Sequence, residues 1–295
     1  MAPTMATHLA LPAMHAVAQL SSHGNLLLGF LGLLGRAAGE AVVLPDTRPA
    51  AWPEMPDVES SSERYARRFA GSVGAWFLET QARALLDLLA PLPPGLRVLD
   101  VGGGHAQLAP VLVGAGHQVT VLGSTPECGA RLLPWTRDGR CRFETGDLQQ
   151  LPYEDASFDV AVSVRILGHL REPDRLVGEL CRVARRSVVV DFASTRGLNA
   201  LADRFFALKL LVEGNTRSFT SFSPAEVRQA FARHGFDVRE SRAQYLLPMA
   251  LLRWVGSARV GRALEAPGAL LGLRRLFGSP LVVRADRRGP IRAGA

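Results

Sequence analysis

Lysine and cysteine are scarce in this chain of 295 residues, and each shortage restricts what the protein can be. Lys209 is the only lysine, so arginine carries nearly all of the positive charge. The three cysteines, Cys128, Cys141 and Cys181, are widely spaced, odd in number and in no metal-ligand pattern. We therefore expect reduced, mostly buried thiols in a cytoplasmic protein, with neither a disulfide framework nor a metal site.

Long apolar runs are missing as well. The apolar run at residues 25–35 is followed at once by Arg36, whereas a membrane-spanning helix needs about 20 apolar residues. No lysine or arginine precedes this run, so the positive region that is typical of a signal peptide is absent. We interpret residues 1–61 as an extension whose apolar helix packs on the domain or on a second subunit of a homodimer. A proline-rich linker, from about residue 45, ends this extension.

The positive charge is concentrated at the C-terminal end. From Leu251 onward the chain has nine arginines against Glu265 and Asp286, so this region carries the whole formal net charge of +7. The rest of the chain is neutral and shows no nucleic-acid-binding signature, so we expect no nucleic-acid partner. The basic C-terminal region instead suggests a peripheral contact with a membrane surface.

The most informative stretch that is present runs from Leu96 to Ala109. Apolar residues lead into Asp100, three glycines follow at 102–104, and a helical pattern begins near Leu108. This order predicts a buried strand, a tight turn and a helix whose first N–H groups face a ligand. The dinucleotide fingerprint needs glycine or alanine at the sixth position of the motif, where this chain has Gln107.

Strands and helices alternate along the rest of the chain, which predicts an α/β fold with a doubly wound sheet. Parallel sheets of this kind bind ligands at the carboxyl ends of their strands. Four residues stand at such predicted ends and should therefore converge on one site: Gly102, Gly123, Asp147 and Val164.

The glycine stretch, read as Asp-x-Gly-x-Gly-x-Ala, resembles the first motif of Rossmann-like (class I) methyltransferases that use S-adenosylmethionine (SAM). The segment from Gly146-Asp147 through Leu151-Pro152 to Phe158-Asp159 resembles a later stretch of the same family. The resemblance is to the UbiE-like group, which methylates small molecules. It implies SAM as cofactor and a sheet of about seven strands whose last strand is antiparallel. It also implies N-terminal helices ahead of the sheet and helical insertions.

The resemblance also implies which residues bind SAM. The residue matching Asp147 bonds the adenine amino group, Leu148 offers a backbone N–H, and N-terminal helices bearing Tyr65 cover the cofactor. The expected cofactor-binding residues are Asp100, Gly102, Gly103, Gly104, Gly123, Ser124, Asp147, Leu148, Val164 and Tyr65.

One position departs from the family pattern. An Asp or Glu at the end of the second strand receives the ribose hydroxyls in the family, and this chain has Gly123 there. Glu127 could reach back to the ribose, or Ser124 and water could substitute. Loss of the acid also keeps an NADP-dependent reductase open as an alternative, and a non-catalytic methyltransferase-like binding subunit is a further one.

The catalytic residues are predicted from position and chemistry. His169 follows the fourth strand and could act as a general base, because histidine titrates near neutrality. Arg165 could orient an anionic substrate, and His105 in the glycine turn competes for the role of base. A base is needed only where the methyl acceptor is not already a nucleophile.

We assign the methyltransferase domain to residues 62–289 and a short tail to 290–295. Insertions at about 194–222 and 248–277 are rich in leucine, phenylalanine and arginine. We expect them to roof a pocket for a small, hydrophobic substrate that is methylated on oxygen or carbon.

Overall fold

A computed structural model describes residues 54–137, 139, 141–196 and 220–289. The predicted apolar helix of the extension, most of the first insertion and the C-terminal tail lie outside the described residues. All described residues belong to one compact unit that spans Pro53–Ala295.

Seven strands form a single sheet in the order β3-β2-β1-β4-β5-β7-β6. Strands β1 to β5 pair in parallel, and β7 pairs antiparallel with both β5 and β6. This confirms the predicted doubly wound sheet with an antiparallel last strand. The strands span Arg97–Val101 (β1), Gln118–Gly123 (β2), Cys141–Thr145 (β3), Phe158–Ser163 (β4), Ala184–Phe192 (β5), Phe236–Tyr245 (β6) and Ser279–Arg287 (β7).

Ten α-helices lie among the described residues, and several begin at a proline, which suits a helix N-terminus because its N–H is not needed there. They span Pro56–Ser60 (α1), Glu63–Ala66 (α2), Gly71–Leu89 (α3), Ala109–Gly114 (α4), Leu133–Thr136 (α5), Pro173–Val183 (α6), Pro224–Arg233 (α7), Met249–Val255 (α8), Ala258–Leu270 (α9) and Leu273–Phe277 (α10). Short 3₁₀ turns at Arg67–Phe69, Pro126–Leu132 and Leu167–His169 join some of them. Helix α7 opens with a capping box, in which Ser223 and Glu226 bond each other's backbone N–H groups.

Alternate residues of β1 enter two different apolar cores. Val98 belongs to a cluster that contains Leu85, Leu88 and Leu112, whereas Leu99 belongs to a cluster that contains Leu180. A strand with both faces buried reads as a continuous apolar run, as this one does. Strand β1 lies between β2 and β4, and the strand order runs away from β1 in opposite directions through these two neighbours. The switch point of the sheet therefore lies at the carboxyl end of β1.

The last residues of the predicted linker are part of the folded domain. Residues 54–61, which we call the strap, include helix α1 and lie across the carboxyl ends of the strands. Asp57 bonds Ser124 directly after β2, and Glu54 bonds Gln149 in the connection after β3. The strap therefore belongs to the region in which the site was expected.

Candidate functional site at the carboxyl ends of the strands

The glycine turn after β1 requires the absence of side chains. Gly102 has a φ of +78°, and its N–H bonds the Leu122 carbonyl at 2.8 Å, which ties β1 to β2. A Cβ on Gly102 would lie 2.6 Å from the Ile166 side chain. A Cβ on Gly103 would collide with the carboxylate of Asp100. The turn therefore brings the backbone close to that carboxylate.

The carboxylate of Asp100 lies in an unusual environment for a charged group. Its side chain is 1% exposed, and neither carboxylate oxygen has a hydrogen-bond partner in the part of the chain that the structure describes. Burial raises the pKa of Asp100 from 3.8 to about 7. A buried polar group without a partner is costly, and such groups mark functional sites often enough that a ligand is the natural explanation.

Packing within the protein leaves no room for a side chain at Gly104, whether or not a ligand is bound. A Cβ there would collide with the backbone carbonyl of Cys128, in the 3₁₀ turn that follows β2. All three cysteines are free and buried, as expected. The glycine at 104 therefore has a structural reason that does not depend on a cofactor.

At the end of β2, the structure differs from the expectation that Glu127 or Ser124 replaces the missing acid. Glu127 is exposed, and Thr125 lowers its pKa through a hydrogen bond, so this carboxylate stays at the surface. Ser124 is engaged by the strap: Asp57 accepts hydrogen bonds from its N–H at 2.7 Å and from its hydroxyl at 2.5 Å. The carboxylate at this strand end thus belongs to Asp57, which sequence analysis missed.

The connection after β3 holds two further predicted residues. Asp147 is exposed and accepts a hydrogen bond from the Gln149 N–H at 2.8 Å, while Leu148 is buried. Arg182 fixes the connection by donating to the carbonyls of Leu151 and Tyr153.

The end of β4 brings a cation to the site. Val164 is buried, and the next residue, Arg165, has a φ of +65°. The Arg165 N–H bonds the buried Asp191 carboxylate at 2.6 Å, and its guanidinium lies 4.2 Å from the centre of the Phe69 ring. Its Nη1 is buried without a hydrogen-bond partner among the described residues.

His105 lies in an aromatic corner. Its ring centre is 5.6 Å from that of Tyr65 and 5.8 Å from that of Phe69, with both rings edge-on. Gln107 bonds His105 Nδ1 at 2.9 Å, and the buried Nε2 has no partner within the described ranges. Burial and the charges of Arg131 and Arg165 lower the pKa of His105 to about 4. His105 is therefore neutral near pH 7 and a poor general base.

The structure thus gathers most of the predicted residues at one edge of the sheet. Asp100, the three glycines, Gly123, Ser124, Val164 and Arg165 stand at adjoining strand ends, with Tyr65 against the glycine turn. His169 ends the 3₁₀ turn Leu167–His169 and is half-buried. The catalytic roles of His169 and Arg165 stay predictions.

Comparison with known proteins identifies the domain. A family model described as a methyltransferase domain matches residues 99–190, which run from β1 to the end of β5. The chain contains a methyltransferase domain. The matched residues include the glycine turn and the ends of β2, β3 and β4.

Two curated relatives of the methyltransferase domain are named for a rifamycin substrate and for quinone biosynthesis. The chain is 33% identical over 142 residues to the 27-O-demethylrifamycin SV methyltransferase of Amycolatopsis mediterranei, covering 43% of this chain and 52% of the relative. It is 33% identical over 140 residues to the ubiquinone/menaquinone biosynthesis C-methyltransferase UbiE of a Ruegeria species, covering 41% and 53%. The chain thus spans about half the length of these relatives.

Solved structures agree on the fold of the methyltransferase domain. The magnesium protoporphyrin IX methyltransferase of Synechocystis, solved with bound S-adenosylhomocysteine (SAH), superimposes with a TM-score of 0.54 at 18% identity. The alignment covers 76% of this chain and 93% of that one. The class I fold therefore extends beyond the segment that sequence comparison matches.

The buried carboxylate of the methyltransferase domain predicts a pH-dependent stability. Asp100 ionises near pH 4 in the unfolded chain and near pH 7 in the folded one, so the folded state binds more protons between these values. Stability contributed by this residue should fall as pH rises from 4 to 7, by on the order of 2–4 kcal/mol. Asp100→Asn should remove that loss, so its advantage over the wild type in urea unfolding should grow between pH 5 and pH 8.

Asp87→Asn, the same change at an exposed residue of α3, is the control. Parallel stability curves for the wild type and Asp100→Asn would contradict the assignment of a buried, unpartnered carboxylate.

Proposed function

We propose that the protein binds SAM at the carboxyl ends of β1 to β4 and transfers its methyl group to a small, hydrophobic metabolite. The observation that carries the proposal is the buried carboxylate of Asp100, which faces the glycine turn and has no hydrogen-bond partner among the described residues. SAM carries a cationic amino group, and a cation is what an unpartnered buried carboxylate accommodates best.

The residues that would hold SAM come from successive strand ends. Asp100 and the glycine turn suit the methionine end, while Asp147 and the N–H of Leu148 suit the adenine. SAM supplies a methyl group bound to a sulfonium. The protein's part is to hold the acceptor atom in line with that methyl group and to exclude water, because methyl transfer depends chiefly on proximity and orientation.

The acceptor pocket is best placed where Arg165 and His105 meet the aromatic rings of Tyr65 and Phe69. The buried, unpartnered Nη1 of Arg165 and Nε2 of His105 offer polar contacts inside apolar walls. This combination favours an acceptor with an acidic oxygen on a hydrophobic body. Named relatives include an O-methyltransferase of a rifamycin and a C-methyltransferase of quinone biosynthesis, which supports methylation of oxygen or carbon.

Calorimetric titration tests the cofactor. We expect the wild type to bind SAM and SAH with micromolar affinity and NADPH not at all, and Asp100→Asn to bind SAM at least tenfold more weakly. Asp87→Asn serves again as the control. NADPH binding without SAM binding would favour a reductase, and SAM binding without turnover of any acceptor would favour a non-catalytic subunit.

The second insertion supports the proposed peripheral membrane contact. Its helices α8–α10 and the turn after α9 expose large apolar side chains, among them Trp254 at 73%, Leu270 at 88% and Leu271 at 74%. Arg259, Arg262 and Arg275 are exposed in the same helices. We infer that this basic and apolar face binds the surface of an anionic membrane, because arginine attracts acidic headgroups and the apolar residues can enter the interface. A hydrophobic acceptor would then be taken from the bilayer.

No helix in the described ranges is long and apolar enough to cross a membrane. Peripheral attachment is the mode that we propose on the basis of the exposed basic and apolar residues, and the cytoplasmic location stays a prediction. A homodimer formed through the same apolar face is the competing explanation of its exposure.

Vesicle flotation separates the two. The wild type should float with vesicles that contain phosphatidylglycerol and not with neutral phosphatidylcholine vesicles. Changing Arg259 and Arg275 to Gln should weaken vesicle binding roughly 30-fold, at about 1 kcal/mol for each charge. The control changes Arg142 in β3 and Arg228 in α7, exposed arginines elsewhere, to Gln. A stable dimer in sedimentation that dissociates on Leu270→Ser, with no vesicle binding, would contradict the membrane proposal.

A further inference from the structure

The backbone position at the end of β2 has no room for an acidic side chain. Gly123 is buried, and a Cβ placed on it would lie 2.9 Å from Cys128 Cβ and 2.9 Å from the Phe143 ring. These distances are shorter than real Cβ contacts allow, so an Asp or Glu at 123 would force Cys128 in the 3₁₀ turn and the Phe143 ring to shift. The packing around the end of β2 therefore favours glycine over the acid that the family has at this position.

A carboxylate nevertheless stands at this strand end. Asp57 in the strap is 0% exposed, and its two oxygens accept from the N–H and the hydroxyl of Ser124, the residue directly after Gly123. Its Cβ lies 3.6 Å from the position of a Cβ on Gly102. Asp57 therefore sits between the ends of β1 and β2, within reach of both.

Other contacts of the strap and of helix α2 determine where Asp57 lies. Glu54 accepts from the Gln149 side chain at 3.1 Å and from the Arg171 N–H at 2.9 Å. The Ser60 hydroxyl bonds the Asp57 carbonyl at 3.1 Å, and Glu63 in α2 pairs with Arg131 at 2.6 Å. Both sides of Asp57 are thus attached to the connections that follow the strands, which preorganises its carboxylate.

We propose that Asp57 supplies the carboxylate that binds the ribose of SAM, in place of the acid that β2 lacks; this rests on the function proposed above. An ionised carboxylate has about four acceptor positions, and Ser124 uses two of those on Asp57. The remaining positions suit the two neighbouring hydroxyls of a ribose. Asp57 is then part of the cofactor site, although it precedes the matched domain by about 40 residues.

The same contacts allow an opposite role, in which Asp57 fills the ribose position and must leave before SAM can enter. The two roles predict opposite effects of Asp57 on SAM binding. A ribose-binding carboxylate strengthens SAM binding, whereas a blocking one weakens it, so removing the charge distinguishes them.

The test measures binding of SAH and of its 2′-deoxyribose analogue by calorimetry. Asp57→Asn should weaken SAH binding roughly 10- to 100-fold, the loss expected for charge-assisted hydrogen bonds. The wild type should bind the deoxy analogue more weakly than SAH, and in Asp57→Asn this difference should shrink towards zero. Glu59→Gln, in the same helix but paired with Arg64, is the matched control and should leave both affinities unchanged.

Tighter SAH binding by Asp57→Asn, or an unchanged preference for SAH over the deoxy analogue, would overturn the proposal. If Asp57→Asn does not fold, equal binding of SAH and the analogue by the wild type would also overturn it. Failure of the wild type to bind SAH at all would instead overturn the proposed function, so the two failures are distinguishable.

Discussion

The constraint on which the site depends is the burial of the Asp100 carboxylate at the end of the central strand. The sheet places this residue at its switch point, the glycine turn closes against it, and no described residue donates a hydrogen bond to it. Keeping such a group out of water costs the folded state free energy, and the same burial raises the pKa of Asp100. A cationic ligand at the turn would recover that loss, and this ties the stability of the free protein to its function.

The rest of the site is assembled around this turn from segments that are far apart in the sequence. The strap supplies Asp57 at the end of β2, the residue after Val164 supplies Arg165, and helix α2 and its 3₁₀ turn supply Tyr65 and Phe69. Each is held by hydrogen bonds or packing that the described structure shows. The proposed cofactor and acceptor regions therefore share one wall, formed by the N-terminal helices.

Sequence reasoning predicted the sheet and its strand ends well, because the signals for them are local. Apolar runs bounded by glycine and proline mark strands, and the glycines at 102–104 mark a turn, whatever the remainder of the chain does. The same reasoning missed Asp57. Its partner Ser124 is 67 residues away in sequence, and the strap lies in a proline-rich stretch that resembles a linker. No periodicity reveals a contact of that kind.

Two expectations about individual residues changed for physical reasons. Glu127 was a candidate for the ribose because it is close in sequence to Gly123, but the 3₁₀ turn leaves it exposed. His105 competed as a base because histidine titrates near neutrality, but burial beside two arginines lowers its pKa to about 4. Neither the direction of a side chain nor its burial can be seen in a single sequence.

The most direct test of the account is a crystal structure of the protein grown with SAH. The account predicts electron density for SAH at the carboxyl ends of β1 to β3, with its amino end against Asp100 and its ribose hydroxyls within hydrogen-bond distance of Asp57. Density for SAH elsewhere, or a bound SAH whose amino group does not approach Asp100, would contradict it.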